Sequence, residues 1–580
     1  MEEAVDGEYQ KFKSRDGAYV REHFFGKYPE LRAMVANMSD EDIWRLNRGG
    51  HDPHKVYAAY AAAAKHTGQP TVILAKTVKG YGMGAVGEGK NIAHQQKKMP
   101  IEALRQFRDR FNIPIADDKL ADIPYFKPPE DAPEMKYLRE LRAQRGGSLP
   151  QRRRKSTRLE VPKLESFKAL LDATGEGREI STTMAFVRML TALVKDKAIG
   201  RNVVPIVPDE SRTFGMEGLF RQLGIYSQVG QLYEPEDSDQ LMFYKEDKNG
   251  QILQEGINEA GAMCSWIAAA TSYANNNVPM IPFYIFYSMF GMQRVGDLVW
   301  AAGDMRSRGF LMGGTAGRTT LNGEGLQHED GHSHILASTI PNCRAYDPTF
   351  AYEVAVIVQD GLRRMVEEQE DIFYYITLMN ENHPHPGIPE GAREGILKGM
   401  YRLAAGEPAA TAGKSAPRVQ LLGSGTILRE VMAAARLLQK DWGVAADVWS
   451  CTSFNELRRE GLAAARWNLL HPAEKAKPSY VEQCLAPTKG PVIASTDYMR
   501  TFADQIREFV PRRYKVLGTD GFGRSDSREN LRRFFEVDRH YVALAALKAL
   551  AEDGEVPAAK VAEAIKKYGI DADRPAPWTV

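Results

Sequence analysis

The predicted fold depends on the stretch Gln254-Glu255-Gly256-Ile257-Asn258-Glu259-Ala260-Gly261-Ala262-Met263. This stretch begins a run of small residues from Cys264 to Ala274 that is typical of a buried helix. Glu259 therefore lies in or near the first turn of a helix that is otherwise apolar. An acid in this position either caps the helix and offsets its macrodipole, or lies in a cleft where it can donate and accept a proton.

Strand-like runs flank this predicted helix. Val203 to Pro208 comes before the helix and ends in Asp209-Glu210, and Met280 to Tyr287 comes after it and leads to Ser288-Met289-Phe290. A loop from Gly323 to His334 then holds three histidines, His328, His332 and His334, within seven residues. Because open α/β sheets bind ligands at the carboxyl ends of their strands, these acids, aromatics and histidines predict one site.

The overall composition is ordinary for a globular protein and excludes several classes. A chain of 580 residues predicts more than one domain, and we expect three. The net charge of +1 gives no general attraction to nucleic acid or to a membrane surface, so we expect neither as a partner. The four cysteines are far apart, which predicts neither a zinc site nor a disulfide framework and fits a reducing cytoplasm. No apolar run has the length of a membrane span, and the acidic first residues are unlike a signal peptide.

Residues 1–123 and 124–160 are predicted to precede the domain that holds this stretch. Lys55 to Lys65 predicts a helix, Thr71 to Lys76 a buried parallel strand, and Lys79 to Gly84 a glycine-rich loop. The prolines and glycines of 124–160 indicate a linker, whose basic run is typical of a solvated surface.

Two further domains are predicted at 161–388 and 389–580. In the first, Thr182 to Lys195 predicts a helix with Ser181 or Thr182 as its N-cap. In the second, strands are predicted at 419–425, 491–497 and 514–523, with a helix from Ile427 to Lys440. Strands that alternate with helices predict an α/β fold with parallel sheets covered by helices on both faces.

The chain resembles the family of thiamine-diphosphate enzymes that includes transketolase, and within it the homodimeric pyruvate dehydrogenase first components of bacteria. The resemblance runs along essentially all 580 residues, and the stretches Glu179 to Thr183, Arg212 to Phe220, Lys245 to Glu259 and Thr319 to His334 carry it. It implies a transketolase-like thiamine-diphosphate-binding fold. In that fold, 1–123 is the tail of the N-terminal diphosphate-binding domain and 124–160 is the linker. The pyrimidine-binding middle domain is then 161–388, and 389–580 is a transketolase C-terminal-like domain.

The resemblance also implies a role for each candidate site residue. Thiamine diphosphate needs a carboxylate that hydrogen-bonds its aminopyrimidine ring, an aromatic wall for that ring, and a metal with polar loops for the diphosphate. In this chain the implied residues are Glu259 as the carboxylate, Tyr287 and Phe290 as the wall, Ile257 as a further cofactor contact, Asp209 and Glu210 as acids near the active centre at a dimer interface, His328 in the substrate pocket, His94 on a mobile loop that helps to pass the acetyl group, and Lys79 near the substrate carboxylate. Without the resemblance, the aromatics would be core residues, the paired acids a turn with a helix cap, and the glycine-rich loop a flexible surface loop.

One departure from the family concerns the metal. The family binds Mg²⁺ through Gly-Asp-Gly and a later Asn in its N-terminal domain, and this sequence contains no Gly-Asp-Gly. We therefore assign no metal ligand in this chain. We expect the chain to correspond to the C-terminal two-thirds of such an enzyme, with the Mg²⁺ ligands on the missing N-terminal part, and to be incomplete for activity alone.

The expected function is that of a pyruvate dehydrogenase (acetyl-transferring) component, an oxidoreductase. It would decarboxylate pyruvate on thiamine diphosphate and reductively acetylate a lipoyl domain of dihydrolipoyl acetyltransferase. The family further implies a homodimer. Two alternatives stay open, namely transketolase-like sugar transfer and a non-catalytic or partner-dependent subunit of the complex.

Overall fold

A computed structural model describes residues 2–46, 49–147, 153–208, 211–236, 244–407 and 416–580. Asp209 and Glu210 lie outside the described residues. The chain divides into two compact units, Met1–Leu149 and Pro150–Val580, which are described one at a time. None of the helices in the described parts of the chain combines the length and the apolar character that a bilayer crossing requires.

The first unit is helical in its described residues. A small apolar core of Phe12, Val20, Val35 and Ile43 holds its first helices together. The predicted helix at 55–65 is confirmed, and it begins after Asp52, whose carboxylate accepts the N–H groups of the first turn. The helices of this unit are α1 (Asp6–Ser14), α2 (Gly17–His23), α3 (Pro29–Met34), α4 (Asp40–Arg45), α5 (Pro53–Lys65), α6 (Ile101–Arg110) and α7 (Pro133–Gln144).

The strand predicted at Thr71 to Lys76 is wrong. These residues have no strand hydrogen bonding, and the side chains of Val72 and Leu74 are 81% and 91% exposed. An apolar β-branched run forms a buried parallel strand only where neighbouring strands accept and donate its backbone hydrogen bonds. All strands among the described residues belong to the second unit, so the described part of the first unit contains no strand that could pair with this run. The segment predicted as a linker contains α7.

The second unit contains a six-stranded, fully parallel sheet with the order β4-β1-β5-β6-β8-β7. The strands predicted at 203–208 and 280–287 are confirmed as β1 and β5. Ser181, one of the two predicted N-cap candidates, caps α9. The strands are β1 (Val203–Val207), β4 (Leu253–Gln254), β5 (Ile281–Tyr287), β6 (Phe310–Gly314), β7 (Cys343–Tyr346) and β8 (Phe373–Thr377), while β2 (Ile225–Tyr226) and β3 (Glu246–Asp247) form a separate pair. The helices are α8 (Lys168–Leu171), α9 (Thr182–Val194), α10 (Glu217–Leu223), α11 (Glu259–Asn276), α12 (Ser288–Asp304), α13 (Ser333–Ser338) and α14 (Ala351–Leu362).

A second sheet follows with the order β13-β12-β10-β11-β9, parallel except for the antiparallel edge strand β9. The strands and the helix predicted for this region are confirmed as β10, β12, β13 and α16. The strands are β9 (Tyr401–Ala404), β10 (Arg418–Gly423), β11 (Ala445–Ser450), β12 (Val492–Ser495) and β13 (Tyr514–Leu517). The helices are α15 (Ala392–Lys398), α16 (Ile427–Trp442), α17 (Phe454–Leu470), α18 (Tyr480–Leu485), α19 (Thr501–Asp504), α20 (Arg528–Phe534), α21 (Arg539–Glu552) and α22 (Ala559–Lys567).

Burial explains why the central strands are continuously apolar. Phe283 of β5 stacks on Phe310 of β6 with ring centroids 4.5 Å apart, and Trp266 of α11 donates its indole N–H to the Phe310 carbonyl over 3.0 Å. A strand covered by helices on both faces has no polar side, so its sequence does not alternate. The predicted α/β class, with helices covering parallel sheets, is confirmed.

Candidate functional site

Glu259 is the first residue of α11. Asn258, rather than Glu259, supplies the side-chain cap, because its Oδ1 accepts the N–H of Gly261 over 3.0 Å. The Glu259 side chain is 19% exposed, and its Oε1 accepts a hydrogen bond of 2.6 Å from Nη1 of Arg294. Among the described residues, Oε2 has no hydrogen-bond partner. The carboxylate is thus fixed by one oxygen and offers the other to a ligand.

Tyr287 and Phe290 lie where β5 passes into α12. Tyr287 is the last residue of the strand, Phe290 is in the first turn of the helix, and their ring centroids are 6.0 Å apart. Arg294 follows Phe290 by one helical turn, so its guanidinium lies over the Phe290 ring, 4.1 Å from the centroid. The same arginine therefore connects the carboxylate of Glu259 to the aromatic pair.

His328 reaches the aromatic pair from the loop after β6. This strand ends at Gly314 beside Tyr287, and His328 ends a short 3₁₀ turn later in the loop. Its ring centroid lies 5.3 Å from that of Tyr287 and 5.2 Å from that of Phe290. Its buried Nδ1 has no hydrogen-bond partner in the described residues, since the Glu324 carboxylate is 4.0 Å away. We call Glu259, Arg294, Phe290, Tyr287 and His328 the carboxylate–aromatic cluster.

The other two histidines of the loop have different environments. His332 is within hydrogen-bond distance of Gln293, with 3.0 Å between Nε2 and Oε1. His334 is fully buried, lies 2.9 Å from Thr377 Oγ1 through Nε2 and stacks on Phe502. Burial lowers the pKa of His334 to about 4, so it is neutral at physiological pH. Of the three, only His328 faces the aromatic pair.

The second unit contains two α/β domains, one around each sheet, and the domain around the second sheet (β9 to β13) holds this loop in place. Arg318 donates to the carbonyl of Gly521, and the N–H of Gly323 donates to the Asp526 carbonyl over 3.0 Å. Glu329, next to His328, accepts the N–H of Arg524 with Oε2 over 2.6 Å. Residues 521–526, which follow β13, therefore fix the loop that carries His328.

Glu329 is a buried acid whose importance the sequence does not reveal. Its side chain is 1% exposed, and Oε1 is buried without a hydrogen-bond partner in the described residues. This burial raises the pKa of Glu329 to about 8. The carboxyl group is therefore largely protonated at neutral pH, directly beside the cluster.

Three other predicted site residues, Ile257, His94 and Lys79, are among the described residues. Ile257, two residues before Glu259, is 73% exposed. His94 and Lys79 are exposed residues of the first unit, His94 at the end of a 3₁₀ turn and Lys79 with its carbonyl accepting the Gly89 N–H over 2.9 Å.

Two further residues of the site region, Arg294 and Glu329, were not predicted from the sequence. The signal for Arg294 is its spacing of four from Phe290 on α12, which places both on one helix face. The signal for Glu329 is only its adjacency to His328, and no pattern reveals that it is buried.

The chemical groups of the cluster suit an uncharged ring that bears hydrogen-bonding nitrogens. It combines a half-buried carboxylate oxygen without a partner, two aromatic faces and a histidine nitrogen without a partner. In the residues that the structure describes, no group of three or more His, Cys, Asp or Glu side chains could hold a metal ion.

Comparisons with known proteins place the chain in a family. Residues 159–386 match the pyruvate dehydrogenase E1 component middle domain, and residues 399–538 match the transketolase-like C-terminal domain. Over 580 residues the chain is 67% identical to the pyruvate dehydrogenase E1 component of Cupriavidus necator, covering 100% of this chain and 64% of that protein. The chain belongs to the pyruvate dehydrogenase E1 component family.

Other relatives within the E1 family agree. The E1 component of Pseudomonas aeruginosa is 67% identical over 575 residues, and that of Escherichia coli K12 is 60% identical over 577 residues. Each alignment covers 99% of this chain and 64% of the relative, so the chain spans slightly less than two-thirds of their length.

Solved structures show the same fold at much lower identity. A transketolase from Campylobacter jejuni is 18% identical with a TM-score of 0.57, covering 86% of this chain and 66% of that chain. A transketolase from Leishmania mexicana is 17% identical with a TM-score of 0.54. The transketolase-like fold expected for this E1 family member is therefore confirmed.

Proposed function

We propose that this chain carries the aminopyrimidine side of the active centre of a pyruvate dehydrogenase (acetyl-transferring) component. The reaction would be decarboxylation of pyruvate followed by reductive acetylation of a lipoyllysine. The contact series from Glu259 through Arg294 and Phe290 to His328 carries this proposal, because it joins a carboxylate, an aromatic wall and a histidine in a chain 67% identical to an E1 component.

The cluster fits the aminopyrimidine ring of thiamine diphosphate. When bound, that cofactor supplies the nucleophilic carbon and the electron sink for decarboxylation. Oε2 of Glu259 would accept a hydrogen bond from a ring nitrogen, and a poorly solvated carboxylate makes this bond strong. Tyr287 and Phe290 would border the ring, and Ile257 would add an apolar contact from the start of α11.

Arg294 would set the position of the carboxylate in this arrangement. It holds Oε1 of Glu259 over 2.6 Å, which orients Oε2 before a ligand binds. Its guanidinium also fixes one face of Phe290, so the two sides of the ring site are held by one side chain. Preorganisation of this kind reduces the free energy lost on ordering groups when a ligand binds.

His328 would serve the substrate. Its buried Nδ1 lacks a partner in the described residues, and such a nitrogen is stabilised by a hydrogen bond to a ligand. Pyruvate offers carboxylate and oxo oxygens, so we assign His328 to hydrogen bonding and proton transfer at the substrate. The protonated carboxyl of neighbouring Glu329 adds no negative charge against an anionic substrate at neutral pH.

The remaining roles are also part of the proposal. We assign His94 to acetyl transfer on a closing loop, Lys79 to the substrate carboxylate, and Asp209 and Glu210 to the active centre at a homodimer interface. We include Mg²⁺ for the diphosphate without assigning ligands in this chain. The partner would be the lipoyl domain of dihydrolipoyl acetyltransferase, and the location would be the cytoplasm.

An acetyl-transfer assay tests the proposed function. The chain is incubated with thiamine diphosphate, Mg²⁺, pyruvate and a lipoyl domain, both alone and mixed with the part of the Cupriavidus necator relative that it does not match. Mass spectrometry follows acetylation of the lipoyl domain. We expect acetylation in at least the mixture, and its loss in Glu259→Gln.

Two results would contradict the proposal. One is absence of acetylation in both samples, which would favour a non-catalytic subunit. The other is turnover of ketose phosphates in place of pyruvate, which would favour sugar transfer.

A further inference from the structure

A second cleft lies between the two α/β domains of the second unit, away from the carboxylate–aromatic cluster. Its volume is about 620 Å³, and its lining shares no residue with that cluster. One wall is formed by segments near Thr174 and by the run from His383 to Pro386, and the other by α16 and the start of α21. Small-molecule sites in proteins are clefts of roughly 300 to 1,000 Å³, so this cleft has the size of a ligand site.

Arginines dominate the wall formed by α16 and α21. Arg429 and Arg436 are seven residues apart on α16, two turns along one face, and Arg539 is the first residue of α21. Arg429 donates to Glu381 over 2.6 Å, and Arg539 makes two side-chain bonds of 2.8 Å to Glu430. These two arginines are thus held by carboxylates at fixed positions on the wall.

Arg436 is different. It is exposed at the cleft and, among the described residues, has no hydrogen bond or ion pair. Its neighbours on the same helix face, Met432 and Ala433, are apolar lining residues. The pair with Glu381 joins Arg429 to the other domain, and the pair with Glu430 joins Arg539 to α16, but Arg436 has no such partner among the described residues.

The facing wall is uncharged. His383 and His385 stack with ring centroids 4.2 Å apart, and burial lowers their pKa values to about 4 and about 3. His385 is locked in place, since its Nδ1 accepts the N–H of Ala351 and its Nε2 donates to the carbonyl of Ile180, each over 2.8 Å. Arg429 and Arg539 are each paired with a carboxylate, so Arg436 is the cleft arginine whose charge no ion pair in the described residues balances.

We propose that this cleft binds a small organic phosphate. Guanidinium groups match phosphate oxygens with paired, charge-assisted hydrogen bonds, and Arg436 has all its donors available to the ligand. The volume exceeds what one phosphate group fills, and Met432, Ala433 and Phe350 supply apolar surface for the organic part. Because both α/β domains contribute walls, a bound anion would also strengthen their docking.

Calorimetric titration of the full chain tests this site, with inorganic phosphate and adenosine monophosphate as probes. We expect both to bind, adenosine monophosphate more tightly because only it reaches the apolar lining. Arg436→Gln should weaken adenosine monophosphate binding by about tenfold, the usual effect of losing one charge-assisted contact. Arg466→Gln removes an exposed arginine of α17 and should leave binding unchanged.

Several results would overturn the proposal. Absence of binding by the wild-type chain at millimolar probe concentration is one. Equal affinity of the wild type and Arg436→Gln is another, since binding would then occur elsewhere. Equal affinity for the two probes would reject the organic part and leave an inorganic anion site.

Discussion

Replacing Glu329 with glutamine should change how the stability of the second unit depends on pH. Burial raises the pKa of this carboxyl from a usual value of 4.5 to about 8, so the folded protein holds a proton that the unfolded chain releases. Stability falls with rising pH wherever the folded state binds more protons. The loss begins above about pH 4.5, accumulates at about 1.4 kcal/mol per pH unit and ends near pH 8.

The total effect is on the order of 4 to 5 kcal/mol at alkaline pH, which is an upper limit for a side chain at a domain boundary. Glutamine keeps the shape of the protonated acid and does not ionise, so Glu329→Gln should escape this loss. The glutamine amide also buries N–H groups, and any stability lost for that reason is the same at every pH. The gap, defined as the free energy of unfolding of Glu329→Gln minus that of the wild type, should therefore rise from about pH 5 to about pH 8 and then stay constant.

Thermal unfolding followed by circular dichroism across this pH range measures the gap. The difference between the two proteins isolates Glu329, because all other titrating groups are common to both. Glu555→Gln, which replaces an exposed acid of the same unit, is the matched control. A flat or shrinking gap for Glu329→Gln would refute the argument that burial keeps this acid protonated.

Two further substitutions test contacts of the second unit. Arg294→Gln removes the ion pair with Glu259 at a side chain that is 46% exposed, so unfolding should change by less than about 1 kcal/mol. Thiamine-diphosphate affinity should fall several-fold, and calorimetry that finds it unchanged would exclude an orienting role for Arg294. Arg532→Met leaves the buried Glu381 with Arg429 as its remaining ion-pair partner. It should lower the free energy of unfolding by about 3 to 5 kcal/mol, measured by urea denaturation, and adding Glu381→Gln should restore part of the loss.

Local sequence patterns predicted much of the second unit. Ser181 before an apolar helical repeat marked α9, and the apolar run from Met280 to Tyr287 marked β5, because caps and continuous burial are local signals. The meeting of Tyr287 with the loop after β6 also followed from sequence, since parallel strands end at one edge of a sheet.

Other features depend on contacts that no local pattern encodes. The run from Thr71 to Lys76 has strand propensity, yet a strand needs neighbours to bond with. Glu259 and Arg294 are 35 positions apart, and their pairing depends on how α11 packs against α12. His328 and His334 are six residues apart in one loop, and only the three-dimensional packing makes one a ligand candidate and the other a neutral core residue.

The central claim is that Glu259 faces the aminopyrimidine ring of thiamine diphosphate, and saturation-transfer NMR tests it most directly. The method detects weak binding, so it serves even if the chain binds the cofactor poorly. We predict saturation of the pyrimidine protons by the wild-type chain, reduced several-fold in Glu259→Gln and unchanged in Glu474→Gln, which alters an exposed acid. Equal saturation by the wild type and Glu259→Gln, or none by the wild type, would contradict the account.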